Sequence, residues 1–363
     1  MPETIEFRPD WISPPGDTIS DILEQSDMSK GEFSRRLGKA PEKTQDLLYG
    51  REPITLEIAE ALESLIGGSA AFWMARERRY REGLGRLRNQ VEEEAASNWL
   101  DQLPMKDMIQ FGWLPTARGR AEQIAASLQF FGVDAVPAWQ KAYRPVLQAA
   151  AYRTSPTFES KPGAVAAWLR QGQLESNNLT CRPWDAKKLR QVVEEIRHLT
   201  REKLPSDFVP ELQNRLAECG VAVVVLRAPS GCRASGATFF LTDTKALMLL
   251  SFRYLSDDHF WFTVFHELAH LILHKSTAIF LEGPNMASNK EEEEADQFAA
   301  DTLIPPEFKS EMLKLSANGR AVMRFAKRIN ISPGIIVGQL QHLGHLTRRQ
   351  LNNLKRRYEW SDK

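Results

Sequence analysis

The sequence is poor in cysteine: Cys181, Cys219 and Cys232 are the only three in 363 residues, widely spaced and without a CxxC pair. That excludes a disulfide framework and a thiolate zinc site, and it fits a reducing compartment. Neither sign of charge is in excess, with 47 lysines and arginines against 47 aspartates and glutamates. No overall field therefore draws the chain to nucleic acid or acidic lipid, and any such contact must come from a local patch. Long apolar runs are also missing: VAVVV from Val221 and ALMLL from Ala246 fall far short of a membrane span. The first residues show no basic start followed by an apolar run, so no signal peptide is expected. A cytoplasmic protein without membrane contact is the expectation. What the chain does have, 42% hydrophobic and 26% charged residues, is the balance of a globular protein. Its length calls for two or three domains.

Three sections follow from the patterning. Residues 1–85 read as short helices: one carrying Ile19, Ile22 and Leu23, a second capped by Ser29 and stopped at Gly38, a third from Pro41 to Gly50, and a fourth with Ile54, Ile58, Ala61, Leu62 and Leu65 on one stripe. Residues 86–184 read as a helical connector, with candidate helices VEEEAASNWLDQL, ARGRAEQIAASLQFFG, VPAWQKAYRPVLQAAAYR and PGAVAAWLRQGQLES, whose tryptophans serve core packing. Residues 185–363 are α+β. Two amphipathic helices precede strands at GVAVVVLRAP, ATFFLT and KALMLLSF, then a helix, DDHFWFTVFHELAHLILHK, that is apolar on most sides and so buried. Further helices complete this section, and the last stretch, TRRQLNNLKRRYEWSDK, is basic and polar.

Within the buried helix HELAH matches H-E-x-x-H. Residues four apart lie one turn apart on the same face, so His266 and His270 can each send a ring nitrogen to one Zn²⁺. Glu267 can hold the metal's water and take its proton, then return it to a leaving amine. Two histidines buried unpaired in such a helix would be costly; satisfied core histidines are the plain alternative. A third ligand is needed. His274 follows His270 by four residues, but three turns of one straight helix converge poorly on one ion, which leaves it to support a ligand or the core. The run of carboxylates at 291–294 offers a candidate, and its plain reading is a solvated helix start. Glu292 and Asp296 form an i, i+4 pair that lets Asp296 hydrogen-bond a ligating histidine.

HELAHLILH followed by EEEEADQFAADTLIPPEF resembles the ImmA/IrrE metallopeptidase family, in which HExxH precedes a helix of the form E-x-E-A-[D/N]-x-F-A ending in L-[L/I/M]-P. The matching residues are Glu292, Glu294, Ala295, Asp296, Phe298 and Ala299, then Leu303, Ile304 and Pro305. The resemblance covers roughly residues 185–345 and implies a zincin-like α+β fold, a Zn²⁺ cofactor and Glu292 as third ligand, with Glu294 as the alternative if the register slips. It also implies regulatory proteolysis, typically of a helix-turn-helix repressor in a stress, phage or toxin-antitoxin setting.

The segment PGDTISDILEQSDMSKGEFSRRLGKAPEKTQDLLYGREPITLEIAEALESLIG resembles lambda-repressor-type domains of the HigA-like branch. The resemblance implies a recognition helix at residues 41–49, with Lys43, Thr44, Gln45 and Arg51 as DNA contacts. Glu42 and Asp46 depart from a good DNA reader, because each repels the phosphate backbone. Lambda-repressor-type modules often dimerise, which leaves room for a homodimer. The cluster RERRYREGLGRLR is either a phosphate-contacting element or a solvated helix face. Two readings stand: a zinc endopeptidase carrying a module for operator DNA or a partner repressor, and an antitoxin-like transcriptional regulator whose peptidase-like domain senses or docks. Cys232 reads as a plain loop cysteine. Arg253, Tyr254 and His259 lie near the motif, and no oxyanion-stabilising group is assigned.

Overall fold

A computed structural model describes residues 12–144, 161–274, 280–281 and 290–361. The chain forms two compact units that divide between Ala96 and Ser97. The first holds α1 (Pro15–Gln25), α2 (Lys30–Leu37), α3 (Pro41–Leu48), α4 (Leu56–Ile66) and most of α5 (Ala70–Leu100). Ser29 caps α2 by accepting the Glu32 N–H, and Gly38 ends it in the left-handed region that glycine adopts at low cost. Ile19, Leu23, Phe33, Leu47, Ile58, Leu62 and Trp73 form its core. A Cβ at Gly16 would sit 1.9 Å from the Leu48 carbonyl oxygen, so α1 and α3 meet backbone to backbone there. The helix expected to start at Val91 is instead the last third of α5, because no proline interrupts residues 70–100.

The second unit continues with α6 (Met105–Gln110), α7 (Arg120–Phe131), α8 (Val136–Ala142) and α9 (Pro162–Ser176). The expected extension of α8 through residues 145–153 lies outside the described residues. Next come α10 (Ala186–Ile196), α11 (Pro205–Ala217), β1 (Val221–Val225), β2 (Gly236–Thr242), β3 (Lys245–Leu250), α12 (Asp257–Leu273), β4 (Phe280–Leu281), α13 (Lys290–Leu303), α14 (Pro306–Met312), α15 (Gly319–Arg328) and α16 (Pro333–His342). The four strands make a mixed sheet of order β1-β3-β2-β4. β1 runs parallel to β3, while β2 is antiparallel to both β3 and β4.

Alternation divides the strands between two cores. Val221, Val223, Met248 and Leu250 face the cluster that includes Phe208, Trp261, Phe265 and Leu268. Their neighbours face the other way, where Gly172 of α9 approaches so closely that a Cβ would lie 2.7 Å from the Leu249 side chain. The Trp168 indole N–H donates to the Leu226 carbonyl at 3.3 Å. The sequence reading put α9 with the connector; in the structure it covers one face of the sheet while α12 lies on the other. Burying a side chain such as Phe265 contributes about 1.5–3 kcal/mol, so both layers hold the sheet in place.

Candidate metal centre

α12 is buried along nearly its whole length, and α13 packs beside it. His266 and His270 are both 2% exposed, and Glu292 in the first turn of α13 is 9% exposed. Their ligand atoms converge. The two histidine Nε2 atoms are 3.0 Å apart, and the Glu292 oxygens lie 3.2 Å from His266 Nε2 and 3.7 Å from His270 Nε2. Ligands at about 2.0–2.1 Å around a tetrahedral zinc are separated by roughly 3.3 Å, so the three atoms are spaced as the edges of such a site. Burial lowers the His270 pKa, disfavouring the charged ring.

The far side of each ring is also engaged. His266 Nδ1 is 2.9 Å from Asp296 Oδ1. His270 Nδ1 is 3.1 Å from His274 Nδ1, and His274 Nε2 is 3.0 Å from Glu294 Oε2. A single proton assignment satisfies all three contacts: Nδ1–H of His266 donates to Asp296, Nε2–H of His274 donates to Glu294, and Nδ1–H of His270 donates to His274. Both Nε2 atoms are then left with lone pairs pointing at one point beside Glu292. Asp296 thus lies beside His266, and His274 beside His270. Glu294 does not approach the Nε2 pair; it lies two residues beyond Glu292, on another face of α13, and meets His274 instead.

Glu267 is fully buried, and its Oε2 accepts the Thr238 hydroxyl of β2 at 2.5 Å. Sequence reasoning missed Thr238 and Gly236. A Cβ at Gly236 would lie 2.3 Å from Glu267 Oε1, so the start of β2 leaves space for this carboxylate. Gly236→Ala is expected to cost about 1–3 kcal/mol of stability by overpacking and to displace Glu267. A lower Tm with retained far-UV circular dichroism is the expected measurement, and an unchanged Tm would contradict the close approach. Just before α12, Tyr254 stacks on His259 at 4.2 Å, and the Arg253 guanidinium donates to the Arg233 carbonyl at 2.6 Å.

The start of α12 is anchored by groups that the sequence reading left out. The Ser332 hydroxyl donates to Asp257 Oδ2 at 2.5 Å and the Arg356 backbone N–H to Oδ1 at 3.0 Å. Lys355 pairs with Asp258 at 2.6 Å, the two side chains only 8% and 7% exposed. Gly334 and Gly338 of α16 make room for these carboxylates, since a Cβ there would lie 2.4 Å from Asp257 Oδ1 and 2.7 Å from Asp258 Oδ2. The closing stretch, read from sequence as merely basic and polar, thus packs onto the helix of the metal cluster, with Tyr358 and Trp360 against the core.

In the first unit Lys43 and Gln45 of α3 are exposed. Arg51 is exposed, lies 3.3 Å from Asp46 and stands over the Tyr49 ring. Thr44 corrects the sequence reading. It is 2% exposed and its hydroxyl donates to the Ala40 carbonyl, because it shares the inward face of α3 with Leu47 and Leu48.

Comparison with known proteins agrees with both units. Residues 221–340 match the profile of the Peptidase M78 family, the IrrE N-terminal-like domain. In the N-terminal region, 60 residues (16% of this chain) are 37% identical to the uncharacterized HTH-type transcriptional regulator YddM of Escherichia coli (strain K12). That alignment spans 64% of the relative's length. None of the helices is long and apolar enough to cross a membrane, among the described residues. Residues 221–340 are thus similar to the IrrE N-terminal-like domain, and the N-terminal region is similar to a helix-turn-helix-type transcriptional regulator.

Proposed function

We propose that this chain is a zinc-dependent endopeptidase that acts on a regulatory protein, with its helix-turn-helix module bringing enzyme and substrate together. The observation that carries this reading is the convergence of His266 Nε2, His270 Nε2 and a Glu292 carboxylate oxygen on one buried point. Two imidazoles and a carboxylate suit zinc, and three protein ligands leave a position open, as catalytic zinc sites do. When bound, zinc would lower the pKa of a water to about 7 and polarise a peptide carbonyl.

The remaining roles belong to the protein. Glu267 is the proton carrier, and Thr238 fixes one of its oxygens while Gly236 gives the carboxylate its space. Asp296 sets the tautomer of His266 directly, and Glu294 sets that of His270 through His274. Glu294→Ala is accordingly expected to weaken zinc binding by about 10–100-fold with Glu292 intact, measured by competition with a chelating dye. Unchanged affinity would remove the relay from the account.

Lys43, Gln45 and Arg51 are the proposed DNA contacts, and a helix-turn-helix repressor is the proposed substrate class, as the family resemblance implies. Cytoplasmic residence fits three cysteines with no disulfide among them. The test is to incubate zinc-loaded chain with a denatured cytosolic proteome and label new N-termini. New termini made by wild type and not by Glu267→Gln support the reading; none from either sinks it. The likeness to a transcriptional regulator favours a second reading, in which the metal cluster stabilises a sensing or docking domain. Under that reading Glu267→Gln leaves every regulatory phenotype unchanged.

A further inference from the structure

Between Glu311 and Glu359 the chain carries ten lysines and arginines and no carboxylate, although its overall charge is balanced. Four of the ten have partners in the same unit, one of them Arg357, whose guanidinium donates to the Tyr254 carbonyl at 3.4 Å. Lys355 pairs with Asp258, Arg328 with Glu311, and the Arg356 guanidinium donates to the carbonyls of Thr200, Arg201 and Glu202. The others have a different placement. Arg320, Arg324 and Lys327 are exposed at i, i+4 and i+7 on α15, one straight stripe rising about 10 Å along the helix. The opposite face of α15, formed by Val322, Phe325, Ala326 and Ile329, is buried in the core.

A second pair of cations adjoins this stripe. Arg348 and Arg349 are exposed on the turn after α16, which is held by Gln341 Nε2 donating to the Gln350 carbonyl at 2.8 Å. Leu351 and Leu354, just past that turn, come within 4.0 Å and 3.7 Å of where a Cβ at Gly319 would be. The start of α15, where Arg320 follows Gly319, therefore packs against the residues that come just after the Arg348–Arg349 turn. Among the described residues no ion pair engages these five cations. Exposed cations elsewhere in the same unit do find carboxylates, as Arg215 does with Glu195 and Glu211 and Lys188 with Glu218.

From this we infer that the α15 stripe and the Arg348–Arg349 turn form a nucleic-acid-binding face on the peptidase-like unit, separate from the helix-turn-helix module. Like charges held together without counter-carboxylates are set out for phosphate. Four of the five are arginines, whose planar guanidinium engages a phosphate through two hydrogen bonds. The occupant is nucleic acid rather than a lipid surface, because the apolar side of α15 is spent in the core and leaves no wedge to insert in a bilayer. Contacts of this kind follow the backbone and do not read sequence, so the face adds sequence-independent affinity.

The test uses the full chain and a fluorescein-labelled duplex of arbitrary sequence, about 30 bp long, titrated by anisotropy between about 50 and 300 mM salt. The variant is Arg320→Gln/Arg324→Gln/Lys327→Gln, with Lys43→Ala/Gln45→Ala as control for the first unit. Each phosphate contact contributes about 0.9 to the slope of log K against log salt, so the triple variant is expected to bind at least about ten-fold more weakly, with a slope shallower by roughly 2.7. The control variant is expected to change the slope by no more than about 1. Zinc content and circular dichroism of the triple variant are expected to match wild type, since all three side chains are exposed. A triple variant that binds like wild type, or binding lost only in the control, overturns the inference. So does a wild type that ignores DNA at low salt and sediments with phosphatidylserine vesicles, a result that would assign the face to membrane. Failure here leaves the metal cluster untouched, because zinc content is read separately.

Discussion

Glu267→Gln is expected to keep its zinc and to lose about 10²–10⁴-fold in peptide-bond cleavage. Glutamine keeps the shape of the side chain and can still meet the Thr238 hydroxyl, so the local packing survives. What it cannot do is accept a proton from water and pass it to the leaving amine. The proposed ligands His266, His270 and Glu292 are left in place by this substitution. The labelled-terminus experiment reads the activity, and elemental analysis reads the zinc. Retained zinc with full cleavage would mean that another group carries the proton. Lost zinc would mean that Glu267 is part of the metal cage.

Lys355→Ala is expected to destabilise the second unit by about 3–5 kcal/mol at neutral pH, because it removes the counter-charge of the buried Asp258 carboxylate. In the wild type, burial alone would raise the Asp258 carboxyl. Hydrogen bonds from Lys355 and Ser256 outweigh that effect and hold it below the ordinary aspartate value. A depressed carboxyl contributes stability that is present above its unfolded pKa and lost as pH falls through the folded one. Without Lys355 the sign reverses. Burial then dominates, the folded pKa rises, and the folded variant favours protonated Asp258. The deficit should therefore be largest near pH 7 and shrink as the pH falls and the variant's Asp258 takes up a proton. Urea denaturation at several pH values measures this, and a deficit independent of pH would show that Lys355 acts by packing alone. Lys355→Met, which keeps most of the apolar stem, should show the same pH trend with a smaller offset.

The parts of the molecule legible in the sequence are those fixed by local spacing. A spacing of four residues, about one helical turn, puts His266 and His270 on one face, and the caps at Ser29 and Gly38 fall where their residue types demand. Glu292 came from the family resemblance, since a run of adjacent glutamates offers no local reason to choose one. In the structure residue 292 lies beside His266 and residue 294 beside His274. Thr44 shows a signal that was present and passed over, because its spacing from Leu47 and Leu48 already placed it inward. Other features were not legible, because they depend on contacts between distant segments. Arg356 reaches Asp257 across 99 residues, and no periodicity announces such a partner. The space that Gly236 leaves for Glu267 requires β2 to be laid across α12, which a strand pattern alone does not specify. Likewise, α9 looked like connector until the two faces of the sheet were assigned.

The most direct test of the central claim is bound metal per chain, by elemental analysis of protein purified without chelators, in wild type, His266→Ala and Glu292→Ala. The account predicts one zinc in wild type and none in either variant, with both variants folded by circular dichroism. A wild type that carries no zinc, or a Glu292→Ala protein that keeps it, would contradict the account.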